Sequence, residues 1–228
     1  MSERPIALVT GASRGVGAAV ARALAPTHRL ILGGRDEKAL AEVAADLPGA
    51  RVWPVELTGL RAADLPDVER LDVLVHSAGV AELSRIAETP ASVWRDTYEI
   101  NVVAVAELTR LLLPALRAAE GHVVCVNSGA GQRANPGWAS YAASKFALRA
   151  FADALRQEEP ALRVTSLYPG RVATDMQRSV REQESGAFEP DKYLAAETVA
   201  GAVLGAVTAG ADAHLTDLIL RPRSGPVL

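Results

Sequence analysis

Tyr141-Ala-Ala-Ser-Lys145 places a phenol and an amine four residues apart, and a helix would stack both on one face, a turn from each other. An ammonium held there stabilises a neighbouring phenolate and is expected to lower the phenol's pKa from about 10 toward neutrality. Tyr141 would then serve as an acid/base near pH 7. With 4 Tyr and three Lys in 228 residues, random placement gives about 0.05 pairs at this spacing, so composition alone does not produce it. The same spacing also fits a surface phenol beside a solvated amine.

A second group of residues has the spacing of a phosphate cradle. Gly11, Gly15 and Gly17 follow the apolar run Ile6–Val9 and precede a helix face of Val16, Val20 and Leu24 that stops near Pro26. Strand, glycine turn and helix together bring backbone N–H groups close to a pyrophosphate at the positive end of the helix. The spacing is Gly11-x-x-x-Gly15-x-Gly17 rather than GxGxxG. A second strand, Leu30–Leu32, ends in Gly33-Gly34-Arg35-Asp36. Gly34 stands about where NAD-binding folds set a carboxylate for the ribose 2′-hydroxyl. Arg14 and Arg35 would instead grip a 2′-phosphate through forked hydrogen bonds, so NADP(H) is expected over NAD(H). Two solvated arginines are the alternative, and Asp36 is free to pair with Arg35 or to bind a ribose itself.

Other polar residues stand at strand ends, where open α/β sheets bind ligands. Ser77, Ala78 and Gly79 follow Leu71–Val75, and Ser128 follows His122–Val126. Asn101 interrupts the apolar helical pattern Ser92–Ala118, either as an exposed residue or as a local bulge aiming a polar group into a site. Cys125 lies in an apolar run and reads as a buried thiol, and His28, His76, His122 and His214 lack metal-ligand spacing.

These residues need a scaffold that gathers strand ends. Strand-like runs at 6–9, 30–32, 51–55, 71–75, 122–126, 163–167 and 218–220 alternate with helical patterns at 36–47, 92–118, 140–157 and 198–207. The alternation predicts one α/β domain over 1–228, a doubly wound parallel sheet of about seven strands (Rossmann-type) with right-handed crossovers. The polar stretch Gln177–Asp191, with Gly186 and Pro190, reads as a mobile flap over a substrate. Net charge is −3 with dispersed Arg, which argues against a nucleic-acid partner. No run of about 18 apolar residues occurs, and Met1–Pro5 lacks an apolar signal segment, so a cytoplasmic location without membrane insertion is expected.

Together the motifs resemble the short-chain dehydrogenase/reductase family, from Ile6 to about Met176. Gly11, Ser13, Arg14, Gly15, Val16 and Gly17 look like its cofactor loop, and Ser77-Ala78-Gly79 like the end of its Asn-Asn-Ala-Gly motif. Asn101, Ser128, Tyr141 and Lys145 match its catalytic four in order and spacing. Pro169, Gly170, Val172 and Thr174 look like its nicotinamide-side loop. The resemblance implies hydride transfer between a nicotinamide and a ketone or aldehyde carbon. Tyr141 would be the acid/base, Ser128 would orient the substrate oxygen, and Lys145 would assist Tyr141 and bind the nicotinamide ribose. Asn101 would hold a water in a relay from Lys145 to solvent. Val172 and Thr174 would fix the carboxamide. It also implies a homodimer or homotetramer, with helices 92–118 and 140–157 in the contact. Two positions depart from the family. His76-Ser77 replaces its paired Asn, so the bracing there must come from elsewhere, and Glu56 replaces an Asp beside the adenine, leaving contact mostly to the Leu57 backbone. A non-catalytic NADP-sensing protein on the same fold is the alternative. Ala130, Gln132, Arg133, Trp138 and Met176 are expected to border the substrate pocket.

Overall fold

The structure is a computed structural model that describes residues 4–223. Its strands are β1 (Ile6–Thr10), β2 (Arg29–Gly34), β3 (Arg51–Pro54), β4 (Val73–His76), β5 (His122–Val126), β6 (Arg163–Pro169) and β7 (Asp217–Leu220). They form one sheet in the order β3-β2-β1-β4-β5-β6-β7, and every neighbouring pair is parallel. The helices are α1 (Gly15–Leu24), α2 (Glu37–Ala45), α3 (Ala91–Tyr98), α4 (Ala104–Ala119), α5 (Ala139–Glu158), α6 (Asp175–Gln183) and α7 (Ala196–Val207). This is the doubly wound Rossmann-type sheet that the alternating pattern predicts. The chain reverses its winding between β1 and β4, so a crevice opens at their carboxyl ends.

The central strands are near-continuous apolar runs because both faces are covered. Their period of two sorts the side chains into two cores. Ala7, Val9, Leu32 and Val75 pack with α1, α2 and α7, while Leu8, Ile31, Leu74, Val123 and Val164 pack with α4 and α5. Each such Leu or Val buried contributes about 1.5–3 kcal/mol of transfer free energy.

Three local readings need correction. The continuous helix over Ser92–Ala118 is two helices joined by a π-helical turn, Glu99–Val103. The extra residue per turn rotates Asn101 inward, and it is 1% exposed, so it is a bulge residue and not a solvated one. Asp36 neither pairs with Arg35 nor opens the helix as its first residue. It caps α2, its carboxylate accepting the Ala39 N–H at 3.0 Å. The flap is partly regular: α6 runs to Gln183, and a short 3-10 turn covers Pro190–Lys192. Glu184, just past α6, accepts from Trp138 Nε1 (3.1 Å), Arg181 (2.6 Å) and both terminal nitrogens of Arg171 (2.9 Å each), so the segment is tied to the body. The end of the proline-containing tail, residues 224–228, lies outside the described residues.

Candidate active site

A cavity of about 340 Å³ runs across the carboxyl ends of β1, β4, β5 and β6. Its floor at one end is the glycine loop between β1 and α1. Gly11 has φ +64°, and a Cβ there would lie 2.9 Å from the Ala78 backbone. At Gly17 a Cβ would sit 2.2 Å from the Gly11 carbonyl oxygen, so no side chain fits. The loop after β4 is held by Thr10, whose hydroxyl accepts the N–H groups of Ser77 (3.1 Å) and Ala78 (3.3 Å) and donates to the Val75 carbonyl (3.3 Å). His76 adds a buried bond from Nε2 to Thr109 Oγ1 at 2.8 Å. These two threonines supply the bracing that His76-Ser77 no longer offers in the family's manner.

Arg14, Arg35, Asp36, Glu56 and Leu57 line the same end of the cavity. Arg35 lies 3.8 Å from Glu56 across a largely exposed pair, and Glu56 also accepts the Thr58 N–H at 3.2 Å. Exposed pairs at this separation are weak and leave the guanidinium available.

The other end holds Ser128, Tyr141 and Lys145. Asn127 fixes their relative position. Its Oδ1 accepts the Ser128 N–H (2.8 Å) while its Nδ2 donates to the Lys145 carbonyl (3.0 Å), tying the tip of β5 to α5. Lys145 Nζ donates to the Val126 carbonyl at 3.1 Å and lies 5.8 Å from the centre of the Tyr141 ring. The phenol and the amine therefore share one environment, and they are only 8% and 5% exposed. Burial dominates both titrations. It pushes the Tyr141 phenol above its ordinary range, partly offset by the Ser128 hydroxyl, and lowers Lys145 to about 8. The expected lowering of the phenol by the ammonium is thus not a property of the chain alone, because the cost of burying a phenolate is the larger effect.

Every residue expected at the cofactor lines the cavity: Gly11, Ser13, Arg14, Gly15, Val16, Gly17, Arg35, Glu56, Leu57, Ser77, Ala78, Gly79, Tyr141, Lys145, Pro169, Gly170, Val172 and Thr174. Asn101 does not line it; it sits behind the wall. Its Oδ1 accepts the Val80 N–H (2.9 Å), and its Nδ2 donates to the Val80 carbonyl (2.9 Å) and to Ser144 Oγ (3.0 Å). Both donor hydrogens of its amide are thereby committed to bracing. Ala130, Trp138 and Met176 border the cavity as expected. Gln132 does not, since it accepts from Arg221 at 2.9 Å, and Arg133 points to solvent. Asn127, Ser144 and Arg171 were missed. Only the position of Asn127, immediately before Ser128 at a strand tip, offered a signal.

The profile of the short chain dehydrogenase family matches residues 5–185. Dehydrogenase/reductase SDR family member 11 of Homo sapiens is 30% identical over 95% of this chain and 94% of its own. Glycine betaine reductase of Emericella nidulans is 32% identical over 97% of this chain, which spans only 19% of that protein's length. An alcohol dehydrogenase of the archaeon Thermococcus sibiricus, solved with 5-hydroxy-NADP, superposes with a TM-score of 0.86 at 27% identity, covering 98% of this chain and 99% of its own. The chain belongs to the short-chain dehydrogenase/reductase family of oxidoreductases. The cavity suits a nicotinamide dinucleotide: a loop stripped of side chains at Gly11 and Gly17 faces one half, and a buried phenol and amine face the other.

Proposed function

We propose that the protein interconverts a ketone or aldehyde with the corresponding alcohol, using NADP(H). The observation that carries this reading is the convergence of Ser128, Tyr141 and Lys145 at one end of the cavity that the glycine loop opens. When bound, the nicotinamide donates or accepts the hydride. Gly15, Gly17 and the start of α1 would hold its phosphates, and Val172 and Thr174 would hold its carboxamide. Ser128 donates a hydrogen bond to the substrate oxygen and stabilises the charge that grows there. Tyr141 gives that oxygen its proton. A phenol held above its ordinary pKa is neutral at pH 7 and so enters the reduction carrying that proton. Lys145, lowered to about 8, is still mostly an ammonium at pH 7 and stabilises the phenolate left behind. Asn101 keeps the Val80 loop and α5 in register behind these groups, and any water relay toward solvent passes its Oδ1 or backbone, not its committed amide hydrogens.

NADP(H) over NAD(H) is supported by Arg14 and Arg35 at the far end. Val103 and Phe146, 48% and 43% exposed beside α4 and on α5, support self-association into a dimer or tetramer through that face. Two measurements test the reading. Tyr141→Phe is expected to bind NADPH with wild-type affinity and to lose nearly all turnover of a panel of ketones and aldehydes. Retained turnover rejects the assignment. Arg35→Ala is expected to reduce the NADPH/NADH ratio of kcat/KM by roughly tenfold, the scale of one charge-assisted hydrogen bond.

A further inference from the structure

The cavity continues past the catalytic groups. The Trp138 ring meets Tyr141 edge-on at 5.8 Å between centroids, and the Arg171 guanidinium lies 5.6 Å over the Trp138 ring. Arg171 and Arg181 both spend terminal nitrogens on the one carboxylate of Glu184, and Asp175 lines the same cavity. The remaining Arg171 nitrogen, Nε, is buried without an acceptor. So is Nε2 of Gln177, a residue that is 8% exposed and lines the same cavity. The Gln177 backbone is pinned in the first turn of α6, its N–H donating to the Thr174 hydroxyl at 3.3 Å. Its side chain makes no hydrogen bond among the described residues, so nothing holds the amide, whose Nε2 is turned away from the open space, from rotating toward a bound ligand. Buried donors are rarely left orphaned unless a ligand or water completes them. Among cavity-lining residues the buried orphan atoms are these two, and both donate.

We propose that Gln177, backed by Arg171, determines specificity by donating to an acceptor oxygen of the substrate away from the reacting carbonyl. The substrate class is a carbonyl compound with a second oxygen function, a carboxylate or a neutral ester or ketone. The inference rests on the carbonyl-reducing function proposed above. A site built around an unpaired donor discriminates strongly against a substrate that leaves it unpaired.

The experiment uses NADPH with three matched substrates: a keto acid, its methyl ester, and the ketone of the same skeleton without the second function. Wild-type protein is compared with Gln177→Leu and Gln177→Glu. The wild-type chain is expected to favour the oxygenated members by roughly tenfold or more in kcat/KM, mainly through KM. Gln177→Leu brings that preference to within about twofold, and Gln177→Glu acts more strongly against the acid than against the ester. A wild-type preference for the acid over the ester assigns the acceptor to a carboxylate near Arg171, and equal preference assigns it to a neutral oxygen. NADPH binding followed by fluorescence reports whether each variant is folded. An unchanged preference in a variant that binds NADPH overturns the proposal. Failure of the wild-type chain to reduce any of the three overturns it together with the function it rests on, and that result is separable from turnover with unaltered preference.

Discussion

The acid/base residue depends on how two buried groups divide one cost. Lys145 gives up part of its affinity for a proton because it is buried, and Tyr141 becomes harder to ionise for the same reason. Reduction needs Tyr141 protonated and Lys145 charged, so its rate is limited on the alkaline side by Lys145. The expected kcat/KM for ketone reduction is flat near pH 7 and falls through an apparent pKa of about 8. Lys145→Arg, whose guanidinium stays charged, moves that limb upward in whatever activity it retains. A profile still flat at pH 9.5 in the wild-type protein would remove Lys145 from this role. The same shift affects stability. A lysine whose folded pKa lies near 8 against 10.5 when unfolded penalises the fold below pH 8, and the penalty fades as pH rises from 8 toward 10.5. Lys145→Met is therefore expected to abolish turnover yet stabilise the protein at pH 7 by about 1–3 kcal/mol, with the gain shrinking toward pH 10.5 in urea titrations.

Among the elements, the π-turn Glu99–Val103 shows how a local irregularity positions a site it does not enter. Asn101 fills the space between the loop after β4 and α5, and its three hydrogen bonds join segments far apart in sequence. Asn101→Ala removes all three and leaves the half-buried Val80 amide without its partner. Unfolding in urea is expected to register a loss of about 3 kcal/mol or more, with activity falling further than NADPH affinity. A loss confined to activity would instead make Asn101 a direct catalytic participant. The sequence disclosed an interruption at this point but not its form, because one asparagine in an apolar helical pattern serves an exposed position equally well. Strand β5 was legible from end to end, since a parallel central strand is an unbroken apolar run. The cap made by Asp36 and the bracing by Thr10 and Thr109 were not legible as partners. The threonine bonds cross 33 to 68 positions of chain, and spacing carries no trace of them. The direction of the Tyr141 shift escaped for a related reason: spacing reveals a neighbour, while burial depends on everything packed above it.

At the scale of the molecule, the sheet buries two imidazoles in the same manner at opposite ends of adjacent strands. His76 closes β4 and His122 opens β5, and each bonds through Nε2 to a threonine hydroxyl, 2.8 Å to Thr109 and 2.7 Å to Thr165. Each hydroxyl gives its one hydrogen to a backbone carbonyl, Val105 in one case and Leu215 in the other. Each must then accept from the imidazole, which fixes both rings as neutral Nε2–H tautomers. Burial lowers both to about 3 from an ordinary 6.5, with Arg163 and His214 adding to the effect at His122. Between pH 6.5 and 3 the unfolded chain binds protons that the folded chain refuses, so stability falls as pH drops below 6.5. Each ring contributes a slope of about 1.4 kcal/mol per pH unit over that window, so together they remove roughly 5 kcal/mol by pH 4.5, comparable to a domain's whole stability. His122 is the cleaner probe because its Nδ1 is buried without a partner and Thr165 keeps its bond to Leu215 when the ring is removed. His122→Leu is expected to flatten the dependence of unfolding free energy on pH between 6 and 4.5 by about one proton, with little loss at pH 7. A slope identical to wild type would mean that the ring already accepts a proton in the folded sheet.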